Sequence, residues 1–223
     1  MGFWSGVSSF CSSVASAVSS IGSTVSSFCA SVLPKIIPTL GGPFGGIFLG
    51  VANALLTALG VFEPDEDVEK IGDRAIQAKD AGITPEKFDT YGEYMEEIRN
   101  FKLDPEKSAQ MQSEVKIGAG LAIGTIGLEK KFDAPEGSIG PLWILAASDP
   151  KYFTAERLEN ILKGGGDMGT VVRFFEGKLG PADAVDTRQT LMGLERVLSP
   201  NKSDEVIYAE INSAKDEVRK LGQ

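Results

Sequence analysis

Residues 4–32 read as four heptads and a final Val, WSGVSSF, CSSVASA, VSSIGST, VSSFCAS, V. One heptad column holds Trp4, Cys11, Val18, Val25 and Val32; a second holds Val7, Val14, Ile21 and Phe28, with Phe3, Phe10 and Ala17 flanking them. At 100° per residue these columns share one side of a helix. The opposite side collects Ser5, Ser12, Ser19 and Ser26, then Ser9, Ser16 and Ser23, then Ser13, Ser20 and Ser27. The pattern predicts an amphipathic helix whose polar face is almost purely hydroxyl. Serine is a middling helix former, so such a helix draws its stability from whatever packs on the apolar stripe, lipid or protein.

After the repeat, the stretch LPKIIPTLGGPFGG carries Pro34, Pro38 and Pro43 among four glycines, which predicts a hinge or tight connector. Residues 44–62 follow as 19 uncharged positions, roughly 28 Å as one helix and close to the ~30 Å hydrocarbon thickness of a bilayer. The candidate membrane-inserting side chains are Phe44, Ile47, Phe48, Leu49, Val51, Leu55, Leu56, Leu59 and Phe62. With Val61 they contribute about −3 to −6 kcal/mol towards insertion, before the cost of Asn53 and the glycines. Gly46, Gly50 and Ala54 make a small-xxx-small face that suits close helix contact in lipid. The same spacing suits the core of a buried hairpin, and the pattern alone leaves both readings open.

From residue 63 the periodicity is that of an ordinary helical domain. Helices are expected near 65–81, 85–101, 105–131, 154–163, 168–178, 182–198 and 203–221. Starts are signalled at Thr84-Pro85-Glu86, at Asp104-Pro105-Glu106, at Thr154 and at Ser203, and stops at Gly82, Gly164, Gly180 and Gly222. None of these starts forms a full capping box, because Lys87, Lys107, Arg157 and Val206 stand at the third position. No stretch alternates convincingly as a strand. The fold class expected is all-α: an uncharged amphipathic and hydrophobic helical hairpin over 1–62, followed by a compact multi-helix soluble domain over 63–223.

Charge sharpens that division. Residues 1–62 contain one charged side chain, Lys35, whereas 63–223 hold the other 21 Lys and Arg and all 31 Asp and Glu, a balance of 21 − 31 = −10. A net charge of −9 without a basic cluster argues against nucleic acid as a partner. The absence of histidine removes the commonest general base and zinc ligand. Glycines 118, 120 and 124 in IGAGLAIGTIGLEKK read G-x-G-x-x-x-G, one residue too long for a dinucleotide loop, and a closely packed core helix is expected there instead. IGPLWILAAS is likewise expected in the core, around Trp143. PDEDVEK lacks calcium-loop spacing, and adjacent Glu96 and Glu97 point apart on a helix. No catalytic residue, metal or cofactor is implied. Cys11 and Cys29 are the only cysteines; on one helix they stand roughly 27 Å apart, so they act as small hydrophobes or bridge to another chain. The N-terminus lacks the basic region and cleavage site of a signal peptide.

If several copies of the serine helix assemble, their hydroxyl faces converge on a common axis. Ser5, Ser9, Ser12, Ser16, Ser19, Ser23 and Ser26 would then line a wet, weakly selective lumen. A coiled-coil stalk would carry Glu and Lys at its flanks, where this repeat carries Ser. The uncharged, Gly/Ser/Ala-rich opening (MGFWSGVSSFCSS, GGIFLGVANALLTALGVF) ahead of a helical domain resembles the small pore-forming effectors of bacterial type VI secretion. That resemblance implies an antibacterial toxin, not an enzyme, secreted without a signal peptide. It implies passage in an Hcp-like ring carrier, action on a target-cell bilayer by self-association and depolarisation, and a cognate immunity protein in the producer. The competing expectation is a structural protein of a phage or contractile injection particle, with the heptads packing subunits or lining a conduit.

Overall fold

The computed structural model describes residues 27–221, which form eleven α-helices and no strand. The N-terminal part comprises a short π-helical stretch, Phe28–Val32, then α1 (Leu33–Leu40) and α2 (Gly45–Ala58). Next come α3 (Val68–Asp80), α4 (Tyr91–Asn100), α5 (Pro105–Gln110), α6 (Ser113–Lys131) and α7 (Leu142–Ser148). The chain closes with α8 (Ala155–Lys163), α9 (Met168–Glu176), α10 (Pro181–Leu198) and α11 (Asp204–Leu221). All-α architecture is therefore established for the described residues.

Helix α6 is the axis of the fold. Its middle, from Ile117 to Thr125, is buried without interruption, so the glycine-rich run is a core helix as its composition suggested. Its main partner is α3, and the two backbones meet where each carries a glycine. A Cβ on Gly72 would lie 1.8 Å from the Lys116 carbonyl oxygen, and one on Gly120 would lie 1.8 Å from that of Val68. Only glycine fits there, because no carbon approaches an oxygen so closely. On another side Trp143, fully buried in α7, donates from Nε1 to Thr125 Oγ1 at 2.8 Å, and that hydroxyl donates to the Leu121 carbonyl at 2.7 Å. The indole thus fills the core with its polar atom satisfied.

The described part of the uncharged N-terminal stretch, from Ser27 onward, contributes to this core. Phe28, Val32, Leu33, Ile36, Phe48, Leu55 and Leu56 belong to the same buried cluster as Trp143, Phe153 and Phe174. Asn53, an oddity in an apolar helix, accepts the Val68 N–H at 2.9 Å and so satisfies a donor at the start of α3. Thr39 Oγ1 donates to the Ala147 carbonyl at 3.2 Å and ties α1 to α7. Composition changes at residue 62, but the hydrophobic core runs across that point.

Several boundaries differ from those the pattern predicts. The helix expected over 44–62 covers Gly45–Ala58. Gly60 at φ +65° reverses the chain there, with Gly60 N–H bonded to the Thr57 carbonyl and Val61 N–H to that of Leu56, a Schellman ending. The expected 85–101 helix is a 3₁₀ turn, Pro85–Lys87, and then α4, because Phe88 is extended and a capping box pairs Thr90 with Glu93. The expected 105–131 helix breaks at extended Met111 and Gln112. Gly177 at φ +74°, not Gly180, stops α9, and Gly180 caps the start of α10.

Glycine substitutions separate the two kinds of site. Gly72→Ala and Gly120→Ala push a methyl into backbone and are expected to lower unfolding free energy by at least about 2 kcal/mol. Gly46→Ala and Gly50→Ala enter open space in a helix and should raise it by about 0.5–1 kcal/mol. Urea melts of the four variants check this; similar midpoints for all four would contradict the crossing geometry.

Candidate functional site

The surface with the clearest chemistry is the end of the heptad repeat where it meets the helical body. In the last described turn the two apolar columns point inward: Phe28 and Val32 are buried, and Gly140 packs against both. Ser27 of the hydroxyl side is exposed, and exposed Ser31 donates from Oγ to the Ser27 carbonyl at 2.6 Å. At residues 27–32 the two apolar columns therefore pack on protein, while Ser31, in the flanking column of Phe3, Phe10 and Ala17, is exposed rather than buried. Cys29 is buried there as well. Ser5, Ser9, Ser12, Ser16, Ser19, Ser23 and Ser26 lie outside the described residues, as does Cys11.

The nine candidate inserting residues split by face. Phe48, Leu55, Leu56, Leu59 and Phe62 are buried in the core. Leu49 and Val51 are half-buried, while Phe44 and Ile47, at 47% and 43%, stand out at the entry to α2. Gly46 and Gly50 have nothing within 4 Å of a Cβ, and Ala54 is exposed. The small-residue face thus looks to solvent, and the close glycine contact occurs between α3 and α6. At 14 residues, α2 is about 21 Å long, and no helix among the described residues is long and apolar enough to cross a membrane. The spanning length expected of 44–62 is absent because Gly60 caps the helix early.

Lys35, the one charge of the segment, pairs with Glu176 at the end of α9 at 3.1 Å, and Lys178 holds the same carboxylate at 3.0 Å. Burial pushes the Glu176 carboxyl up, but hydrogen bonds from Lys178 and Lys35 outweigh it and leave it below the usual carboxylate range. A depressed carboxyl contributes stability above its unfolded-state pKa that is lost only as pH falls through the lower folded value. The tie therefore survives mild acid. Pattern reading could not pair Lys35 with Glu176, since 141 residues separate them.

Elsewhere the buried charges are structural clamps. Arg157 meets Glu195 through two nitrogens, stacks 4.0 Å over the Tyr152 ring and bonds the Tyr152 carbonyl, joining α8 to α10. Arg99 grips Glu66 through Nε at 2.8 Å and Nη2 at 3.2 Å. Asp73 is engaged by Gln77 and Ser108. Each of these three carboxylates is met by fixed donors. A cavity of about 440 Å³ contains Ser138, Lys163 and Asp167, yet these bond to Pro135, Glu159 and Thr170 respectively. A second, of about 530 Å³, has Tyr91, Lys130 and Lys131 on its wall. No His/Cys/Asp/Glu group that could hold a metal occurs among the described residues.

No protein-family model, curated protein or solved structure matches the chain.

Burial raises the Tyr152 hydroxyl far above its ordinary range, the Glu195 charge adding to the effect, and burial with Tyr94 beside it does the same for Tyr91. A raised folded-state pKa gives stability that is complete below the unfolded value of about 10 and lost as pH climbs above it. Ultraviolet titration should show both phenols protonated until alkaline unfolding. Tyr91→Phe and Tyr152→Phe should each remove amplitude from that cooperative step alone; a separate early loss would contradict their burial.

Proposed function

We propose that this protein is a non-enzymatic, membrane-active toxin. In this reading residues 1–62 leave the helical body at a target-cell bilayer, insert, and assemble into an ion-conducting pore around the serine faces. The observation that carries it is the docking at the described end of the repeat: Phe28 and Val32 against the body, Ser27 to water, and one side-chain ion pair, Lys35–Glu176, further along. Exposed Phe44 and Ile47 offer a first apolar contact to lipid. Extension of α2 through Gly60 to residue 62 would restore the roughly 28 Å that a span requires.

Magnitudes say what else is needed. Burial of Phe48, Leu55, Leu56, Leu59 and Phe62 contributes about 7–15 kcal/mol at 1.5–3 each. That exceeds the about 3–6 kcal/mol that residues 44–62 gain from lipid. The hydrophobic helix does not leave by itself. Trp4, Phe3, Phe10, Val7, Val14 and Ile21 of the repeat supply the difference when they enter the membrane with it, so the amphipathic helix is the driver. An Hcp-like carrier and an immunity protein belong to this reading as expected partners.

The runner-up is a structural protein of a phage or injection particle, favoured by Phe28 and Val32 packing on protein rather than lipid. Potassium and dye release from phosphatidylglycerol/phosphatidylethanolamine vesicles separates the two. The full chain should release ions at low protein-to-lipid ratio, and Ser12→Leu/Ser19→Leu/Ser26→Leu should abolish conduction while membrane binding persists. A full chain inert towards vesicles at every ratio would support the structural role.

A further inference from the structure

The last turn of α9 is ringed by cations from three other parts of the chain. Phe174 is buried, and its ring carries Lys215 Nζ of α11 at 4.1 Å and Arg188 Cζ of α10 at 5.9 Å. Arg188 also lies 5.1 Å from the ring of Tyr208, which is 43% exposed, and its Nε is buried without a hydrogen-bond partner. The Arg219 guanidinium covers Gly177, where a Cβ would stand 2.4 Å from Nη2. On the two sides of Gly177, Glu176 and Lys178 bring in Lys35.

Among the described residues two carboxylates pair with these five cations. Glu176 is shared by Lys35 and Lys178, and Asp216 lies 3.7 Å from Arg219 Nη1. Five minus two leaves +3 at one spot on a chain of net charge −9. The negative end of α9 attracts cations, but it is equivalent to only about half a charge. Ring faces steady Arg188 and Lys215 without neutralising them. Burial depresses Lys215, Arg219 and Arg188 push it the same way, and Asp216 opposes them. The fold holds like charges together with too few counter-ions, at a position that Arg219, 46% exposed, opens to solvent.

We propose that Arg188, Lys215 and Arg219 bind the phosphate of an anionic lipid headgroup and so seat this face of the protein on a negatively charged bilayer. Arginine forks and a lysine ammonium suit phosphate oxygens, and the half-exposed Tyr208 ring beside them suits the membrane–water boundary. The site rests on the membrane reading above for its setting and supplies the surface that reading lacks. An acidic protein needs such a patch, because its overall charge is repelled by the membranes it would enter.

Co-sedimentation of the full chain with phosphatidylglycerol/phosphatidylcholine vesicles, compared with phosphatidylcholine alone, tests this. Near an anionic surface each cation is worth about fivefold in partitioning, so Arg188→Gln/Lys215→Gln/Arg219→Gln should lose roughly a hundredfold, and high salt should do likewise. Arg188 and Lys215 also pack on Phe174, so the exposed Arg219→Gln alone should lose about fivefold with an unchanged melting temperature. Arg188→Lys/Lys215→Arg/Arg219→Lys should retain binding. Wild-type binding by the Gln variants overturns the site. Displacement by inorganic phosphate at matched ionic strength assigns the site to free phosphate and overturns the lipid source. Charge-dependent binding without ion release leaves this site standing while removing the pore; ion release by variants whose binding is unchanged does the reverse.

Discussion

Two helices in this protein touch where neither has a side chain. The α3–α6 crossing at Gly72 and Gly120 brings backbone to backbone, with each missing Cβ lying where the other helix keeps a carbonyl oxygen. That approach draws α6 so deep into the molecule that its middle has no solvent face. Everything else is arranged around it. Thr125 turns towards Trp143 of α7, and Gly124 and Gly127 leave room for Leu56 and Val61 of the N-terminal part. The packing that holds the uncharged segment is therefore built on the same glycine-rich helix that fixes the body.

The segment itself is asymmetric in a way that matters. One side of α2 belongs to the core, while Phe44, Ile47, Gly46, Gly50 and Ala54 face water. Among the described residues its docking is mainly apolar and non-directional, supplemented by the Asn53 and Thr39 hydrogen bonds, Arg99 on the Val61 carbonyl, Lys151 over the Phe44 ring and the Lys35–Glu176 pair. A partly exposed ion pair contributes about 0–1 kcal/mol, far less than the buried side chains. The described part of the segment is consequently held mainly by apolar surface, the kind of contact on which the proposed exchange with lipid depends.

Much of this was legible in the sequence because it rests on local periodicity. All-helical character, the Asp104 and Thr154 caps, the buried glycine run and the burial of Trp143 follow from spacing and side-chain chemistry. At residues 27–32 Phe28 and Val32 face inward and Ser27 outward as read, whereas Ser31 of the flanking column is exposed. Helix ends were less accessible, since Gly60 and Gly177 stop helices by a left-handed turn that competing glycines nearby signal equally well. The Thr90–Glu93 capping box was present as a motif but masked by the stronger Thr84-Pro85 signal. Long-range features left no trace in the pattern. Gly72 is an isolated glycine in a charged helix, and Lys35–Glu176 and the Phe174 cation cluster depend on which helix ends meet in space.

The chain carries its own reporters for the central claim that the uncharged segment exchanges protein for lipid while the body stays folded. Trp4 belongs to the repeat, and Trp143 sits fully buried in α7, bonded to Thr125 of α6. Fluorescence quenching by phosphatidylglycerol with brominated acyl chains, read in the full chain and in Trp4→Phe, measures them separately. The expected result is strong quenching of the Trp4 contribution, with Trp143 emission in Trp4→Phe unaffected. Unquenched emission from both tryptophans on membrane-bound protein would contradict the account, because the apolar stripe would then have remained out of the bilayer.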